Sequence, residues 1–174
     1  FRTIVGIVLT LYLLLAATIY VPAVQKTVTK VTENNLSKLL QTEVNIGKIT
    51  LGFFNRVILD NVIIKDKNNK DLLTSSRISC KVNLLDLAKG VISIGSIQLY
   101  GFDIQLYQEE NEQENNFKFL IDAFNKGEKD SETPHININS ILIRRGKLSW
   151  HQWNQPQKQE GFDPNHIVIN KITG

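Results

Sequence analysis

The chain has 174 residues, a formal net charge of +3 and a single cysteine. One cysteine excludes a framework of intrachain disulfides. The 20 lysines and arginines are scattered, with Arg144 and Arg145 as the only adjacent pair, so the sequence lacks the basic stripe that follows a nucleic-acid backbone. We therefore expect no nucleic-acid partner.

The first 25 residues predict a membrane anchor. Residues 3–25 carry no charge, and residues 4–21 are almost wholly apolar. At about 1.5 Å of rise per residue, a helix over that stretch crosses a hydrocarbon core about 30 Å thick. A cleaved signal peptide is the alternative, but its apolar part is usually only about 7 to 15 residues long. We predict a retained transmembrane helix over residues 1–25, with its N-terminus in the cytoplasm.

Residues 26–42 predict an amphipathic helix that links the anchor to the body. Val24, Val28, Val31 and Leu39 recur at helical spacing among lysine, threonine, glutamate and asparagine. Such a helix either lies along the membrane surface or covers the first edge of a β-sheet. We favour the cap, because a stacked β-structure needs its exposed first edge covered.

Residues 43–174 predict a β-domain built from repeats. One eight-residue pattern recurs in VNIGKITL (44–51), ISIGSIQL (92–99), ININSILI (136–143) and IVINKITG (167–174). Alternating apolar residues predict strands over residues 43–51, 56–65, 77–84, 91–100, 102–108, 136–145, 147–153 and 166–173. Residues 84–90 predict a helical turn, and FKFLIDAFNKG predicts a helix. Because the last copy runs into residue 174, we expect this chain to be the front of a longer array.

Each copy interrupts the apolar alternation at the same place. Ile94 and Ile97 are three residues apart, so a straight strand would place them on opposite faces. A β-bulge or a tight turn returns them to one side, and repeated bulges curl a sheet. The opposite face carries Lys48, Ser93, Gln98, Asp103 and Gln105. We predict a curved half-pipe, capped by the helix, whose apolar groove is lined by Ile46, Ile49, Leu51, Ile94, Ile97, Leu99, Phe102, Ile104, Ile138 and Ile141.

Signatures of catalysis are missing from the sequence. His135, His151 and His166 lie 16 and 15 residues apart without a cysteine or acidic residue at ligand spacing, so a zinc site is not expected. There is no Gly-x-Ser-x-Gly elbow and no phosphate-binding glycine loop. The acidic residues cluster in the polar stretch EENEQENN, which predicts a solvated loop. We expect neither an enzyme nor a cofactor.

Cysteine and tryptophan have structural interpretations. Cys80 alternates with Ile78 and Val82, which indicates a small core residue. Trp150 and Trp153 are three apart on a predicted strand and therefore face opposite sides. This argues against a joint aromatic clamp.

The order of these features resembles the start of the AsmA-like superfamily, and within it the TamB-type translocation and assembly proteins of Gram-negative bacteria. The resemblance rests on the apolar span, the Pro-Ala-Val-Gln after it, LSKLLQTEVNIGKITLGFFNRVILDNVIIKD, and later ISIGSIQLYGFDIQLYQ and ININSILIRRGKLS. It covers nearly the whole chain. The lysine- and asparagine-rich composition looks like members from Bacteroidetes-type organisms.

The resemblance implies a long β-half-pipe that hangs from the inner membrane, with most of the chain in the periplasm. Its apolar trough would carry the acyl chains of phospholipid toward the outer membrane. The implied partner is an outer-membrane barrel of the BamA kind, similar to TamA, bound by a C-terminal domain that has no counterpart in these residues. The rival function is a scaffold or chaperone for outer-membrane β-barrel proteins, which would bind nascent strands along a sheet edge.

Overall fold

The computed structural model describes residues 22–52, 55–83, 94–126 and 140–174. The residues before 22, the turn predicted over 84–90 and the predicted groove residue Ile138 lie outside these ranges. No helix within the ranges is both long and apolar enough to cross a membrane. The elements are α1 (Pro22–Leu40), β1 (Val44–Gly52), β2 (Arg56–Lys65), β3 (Asp71–Val82), β4 (Ile94–Gln108), α2 (Lys118–Lys126), β5 (Ser140–Arg144), β6 (Gly146–Gln152) and β7 (His166–Ile172).

The strands form one open mixed sheet with the order β1-β2-β3-β4-β6-β7, and β5 also pairs with β4. Neighbours from β1 to β4 are antiparallel. β5 and β6 run parallel to β4, and β7 is antiparallel to β6. The prediction of a mainly β fold is confirmed.

Three larger differences from the sequence prediction lie within the described ranges, besides shifts of one or two residues at other element ends. β3 begins at Asp71 rather than at residue 77, because the polar run from Thr74 to Ser76 lies within the strand despite its lack of apolar alternation. The strands predicted over 91–100 and 102–108 form one strand, β4. The side-chain alternation of β4 is interrupted at Gly101, whose φ is 56°. Helix α1 begins at Pro22, within the stretch assigned to the anchor. Proline suits a first helical turn because the amide hydrogen that it lacks would have no partner there.

A row of residues interrupts the side-chain alternation across the sheet. We call this row the crease; it consists of Gly47, Asn61, Ser76, Gly101 and Arg145. Each of these residues lies between two paired positions of its chain segment. The backbone is left-handed at Asn61, Gly101 and Arg145, with φ of 54°, 56° and 53°. Each strand has its crease residue opposite that of the neighbouring strand. The pairing register between the strands is therefore the same before and after the crease. Apolar residues before and after the crease therefore share one face.

Helix α1 covers part of the edge of the sheet. β1 ends the strand order, and two of its amides donate to side chains of α1. The amide of Val44 donates to Ser37 Oγ over 3.0 Å, and that of Ile46 donates to Glu33 Oε1 over 2.6 Å. Unpaired edge amides attract other strands. These two side chains occupy that part of the edge instead.

The core lies between the sheet and the two helices. Its buried cluster consists of Leu40 from α1 with Val44, Ile46, Ile49 and Val62 from the first two strands. Against this cluster pack Leu36 of α1 and the α2 residues Phe119, Leu120 and Ala123. The helices thus cover the apolar face of the sheet around β1 and β2.

A buried polar network joins the β2–β3 turn to the loop before α2. The carboxylate of Asp66 accepts the amides of Asn68 and Lys70, each over 2.9 Å, and the hydroxyl of Tyr107. Asn116 donates its side-chain amide to Asp66 and accepts the backbone amide of Tyr107 over 2.9 Å. Asp66, Tyr107 and Asn116 are all buried. These three side chains are hydrogen-bonded within the network, as buried polar groups generally are.

Candidate functional site

One face of the sheet, here called the apolar face, carries aliphatic side chains in rows that run across the strands. Directly paired residues project from the same face, so the register identifies each row. Two rows beyond the crease span five strands, β1 to β5. Their members are Ile49, Leu59, Ile78, Leu99 and Ile143, and then Leu51, Val57, Cys80, Ile97 and Ile141.

The opposite face carries charge in the same part of the sheet. Its row next to the crease contains Lys48, Asp60, Arg77, Tyr100 and Arg144. Arg77 Nε and Asp60 Oδ1 form an ion pair 2.7 Å apart, and the hydrogen bond to Asp60 raises the pKa of the Arg77 guanidinium. The two faces therefore differ in chemistry, one aliphatic and one polar and charged.

The predicted groove residues within the described ranges share the apolar face. The register places them there through the pairs of each strand with its neighbour. Their burial separates them into two groups, however. Ile46, Ile49 and Phe102 are buried, with exposures of 4%, 7% and 4%, and Ile46 and Ile49 belong to the core cluster. These three act as core residues and are not accessible to a ligand in this structure.

The other groove residues keep some exposure. Leu51 and Ile141, at the two ends of one row, are 37% and 60% exposed. The residues between and beside them are half-buried: Ile94, Ile97, Leu99 and Ile104. Beyond the crease, the row from Leu51 to Ile141 is therefore accessible and is most open at its two ends. Ile104 lies on the other side of the crease.

Cys80 lies within the accessible part of this face. It pairs with Val57 on one side and Ile97 on the other. Burial raises the pKa of its thiol, so the side chain is neutral at physiological pH. A neutral thiol is a small apolar group, and Cys80 continues the aliphatic row.

A cleft of about 520 Å³ lies between the end of α1, the β2–β3 turn and α2. Its cations already have partners. Lys67 Nζ donates to the carbonyl oxygens of Leu40 and Gln41 over 3.1 and 2.6 Å, which satisfies the end of α1. Lys118 Nζ lies 3.0 Å from Glu114 and 3.2 Å from Asp122. The ammonium groups of Lys67 and Lys118 therefore have partners within the fold.

Two histidines that are 15 residues apart in the sequence meet in the structure. His151 of β6 pairs directly with His166 of β7, and their Nδ1 atoms are 3.3 Å apart. Trp153 stacks on His151, whereas Trp150 packs edge-on against Phe117, so the tryptophans contact opposite faces. Spacing along the chain missed the histidine pair. The available signal was that the two histidines fall on strands predicted to be consecutive.

No group of three or more histidine, cysteine, aspartate or glutamate side chains is arranged to hold a metal ion in the ranges that the structure describes. The apolar face beyond the crease is the feature with the clearest chemical character. Its rows present aliphatic side chains from several strands and no charged side chain. Such a surface suits the binding of an apolar ligand rather than catalysis.

No protein-family model, curated protein or solved structure matches the chain. The resemblance to the AsmA-like superfamily therefore stays a prediction from the sequence.

Proposed function

We propose that the chain is the membrane-proximal part of an inner-membrane-anchored periplasmic bridge that carries phospholipid along an apolar β-groove toward the outer membrane. The observation that carries this proposal is the uncharged row from Leu51 to Ile141 beyond the crease, which continues across five strands and is exposed at both ends. The aligned breaks of the crease support a curved, half-pipe form of the sheet, because bulges bend strands and increase their twist.

The free energy of such a site comes from removing acyl chains from water. Each buried CH2 group contributes about 0.8 kcal/mol, so a tail of ordinary length gains several kcal/mol along an aliphatic surface. A surface of this kind holds a tail at any of many positions, since the contacts are non-directional. Movement along the groove then needs no covalent step, which is why the proposal requires neither catalytic residues nor a cofactor.

The partner in this proposal is an outer-membrane barrel of the BamA kind, similar to TamA, contacted by a part of the array beyond these residues. The second candidate function is a scaffold for the assembly of outer-membrane β-barrel proteins. One observation favours it. β7 ends the strand order opposite β1, and its Val168 and Ile169 side chains are 56% and 41% exposed. Such an edge is suited to pairing with a nascent strand.

The first experiment maps lipid contact on the two faces. A photo-crosslinking amino acid replaces Leu51, Ile97 or Ile141 on the apolar face, and Lys48 or Gln98 on the opposite face, in the full chain within its native membrane. Capture of radiolabelled phospholipid from the apolar positions only is expected. Equal capture from both faces, or capture of unfolded barrel protein instead of lipid, would favour the scaffold.

The second experiment places a charge on each face. Ile97→Lys puts an ammonium against the acyl chains, and burial of an unpaired charge costs several kcal/mol unless it reaches water. Gln98→Lys is the matched control, because Gln98 pairs with Ser79 on the opposite face. Ile141→Lys with Ser140→Lys repeats the comparison where both residues are exposed and folding is little affected.

Loss of phospholipid transfer in Ile97→Lys and Ile141→Lys, with normal protein levels and normal transfer in both controls, is the expected result. Full transfer by the double variant Ile97→Lys/Ile141→Lys would remove the conduit from consideration.

A further inference from the structure

The polar face of the β6–β7 hairpin contains two imidazole rings in direct register. His151 and His166 form a cross-strand pair, with Nδ1 atoms 3.3 Å apart and ring centroids 5.6 Å apart. Both residues are partly buried. Paired positions of two hydrogen-bonded strands hold side chains at a fixed separation, so this arrangement belongs to the fold and not to one loop conformation.

A backbone carbonyl selects the tautomer of His166. Its Nε2 atom lies 3.1 Å from the carbonyl oxygen of Gln155. A carbonyl oxygen only accepts, so Nε2 carries the hydrogen and the neutral ring has its lone pair on Nδ1. A histidine that ligates a metal with one nitrogen commonly donates its other N–H to a carbonyl in this way. The free lone pair of His166 points toward His151, whose Nδ1–H fills the position of an incoming cation.

The separation of the two Nδ1 atoms matches a shared metal ion. Two nitrogens that each lie about 2.0 to 2.1 Å from a tetrahedral metal are about 3.3 to 3.4 Å apart. We propose that His151 and His166 form an open two-histidine site for a divalent transition metal, with water in the remaining positions. On binding, the proton of His151 moves from Nδ1 to Nε2 through solvent, and both rings then bind through Nδ1 without a net change in protonation.

A ligand set of two imidazole rings favours an ion with a preference for nitrogen ligands. Imidazole nitrogen suits zinc, copper and nickel, and the general order of affinity places Cu²⁺ above Ni²⁺ and Zn²⁺. Trp153 stacks on His151 with ring centroids 4.8 Å apart. Its indole therefore lies close enough to report a bound paramagnetic ion.

The test titrates the full chain in detergent at neutral pH with CuSO4 and then with ZnSO4, using tryptophan fluorescence. We expect Cu²⁺ to quench the fluorescence with one ion per chain, and Zn²⁺ in excess to reverse the quenching. His151→Gln and His166→Gln should each weaken Cu²⁺ binding at least tenfold. His135→Gln is the matched control, because the same change at the third histidine leaves the pair intact. Circular dichroism checks that each variant is folded.

A second measurement needs no variant. The electron paramagnetic resonance spectrum of the Cu²⁺-loaded full chain should show coupling to two imidazole nitrogens. One nitrogen or none, unchanged affinity in a folded His151→Gln/His166→Gln double variant, or loss of binding in His135→Gln would each overturn the site. This outcome is independent of lipid transfer, which is measured separately.

Discussion

At the residue scale, Gly146 illustrates a contact that only glycine permits. Phe102 of β4 lies directly over it, and a Cβ atom at position 146 would be 1.9 Å from Phe102 Cζ. Gly146→Ala should therefore destabilise the fold by about 1 to 3 kcal/mol, the usual cost of overpacking. Urea unfolding of the detergent-solubilised chain measures this. In a Phe102→Leu background the same substitution should cost less, and an equal cost in both backgrounds would show that the ring is not responsible.

Tyr107 makes the stability depend on pH in the alkaline range. Burial and the hydrogen bond to Asp66 raise the pKa of Tyr107 from the ordinary 10.0 to about 12. Between these pH values the unfolded chain has released the phenolic proton while the folded chain retains it. The contribution to stability is complete below pH 10 and is lost as the pH rises toward 12.

The measurement is the free energy of unfolding of wild type and Tyr107→Phe at several pH values from 9 to 12. The difference between them should shrink as the pH rises through this range. Tyr100→Phe, which removes a phenol that does not contact Asp66, is the matched control. A slope in Tyr107→Phe equal to that of wild type would contradict the assignment.

Single residues differ in how well the sequence predicted them. Strand alternation predicts that Cys80 lies in an apolar row, and the structure confirms it, because alternation alone determines which face the side chain is on. Alternation also predicts the correct face for Ile46, Ile49 and Phe102. It does not predict that these three side chains are buried, because alternation contains no information on what packs against a face. The His151–His166 pair depends on which strands are neighbours, and spacing along the chain contains no such information.

At the element scale, a substitution in the crease tests whether its left-handed residues maintain the interrupted side-chain alternation. Asn61 has a left-handed backbone, with φ of 54°. Asparagine tolerates this conformation, whereas a β-branched residue pays about 1 to 2 kcal/mol. Asn61→Val should therefore reduce the free energy of unfolding by that amount, and Asn61→Gly should leave it nearly unchanged.

The control for the crease is Asn45→Val, the same substitution at an exposed position of β1 with ordinary strand backbone. It should change stability by less than about 0.5 kcal/mol, as most surface substitutions do. If Asn61→Val costs no more than Asn45→Val, the left-handed residue does not maintain the crease.

The elements that the sequence predicted best are those with a clear period. The strands at 44–52 and 56–65 and the helix α2 follow from apolar alternation or helical spacing. The start of β3 was missed because Thr74 and Ser75 offer no alternation, and their pairing with Ile63 and Val62 depends on the neighbouring strand. Apolar alternation predicts a boundary between two strands at Gly101, whereas β4 continues through it.

At the scale of the whole molecule, the crease, the helices and the apolar rows form one arrangement. The helices cover the apolar face around β1 and β2, and α1 also occupies edge amides of β1. The same face is accessible beyond the crease, where Leu51 and Ile141 are exposed. In the described residues the row from Leu51 to Ile141 keeps this face apolar from β1 to β5, and such a surface is the physical basis of the proposed groove.

The proposed bridge also requires the N-terminal span to stay in the membrane. Leu14 lies near the middle of the uncharged stretch. Arginine at the centre of a spanning helix costs about 2.5 to 3.5 kcal/mol of apparent insertion free energy, so Leu14→Arg should shift the protein out of the carbonate-resistant membrane fraction. Val28→Arg, an exposed position of α1 beyond the span, is the matched control and should fractionate as wild type does. A tag fused before Phe1 should remain on the mature chain if the span is an anchor, and its removal would indicate a signal peptide. Wild-type fractionation of Leu14→Arg would contradict the anchor, and the groove would then need another route to its lipid.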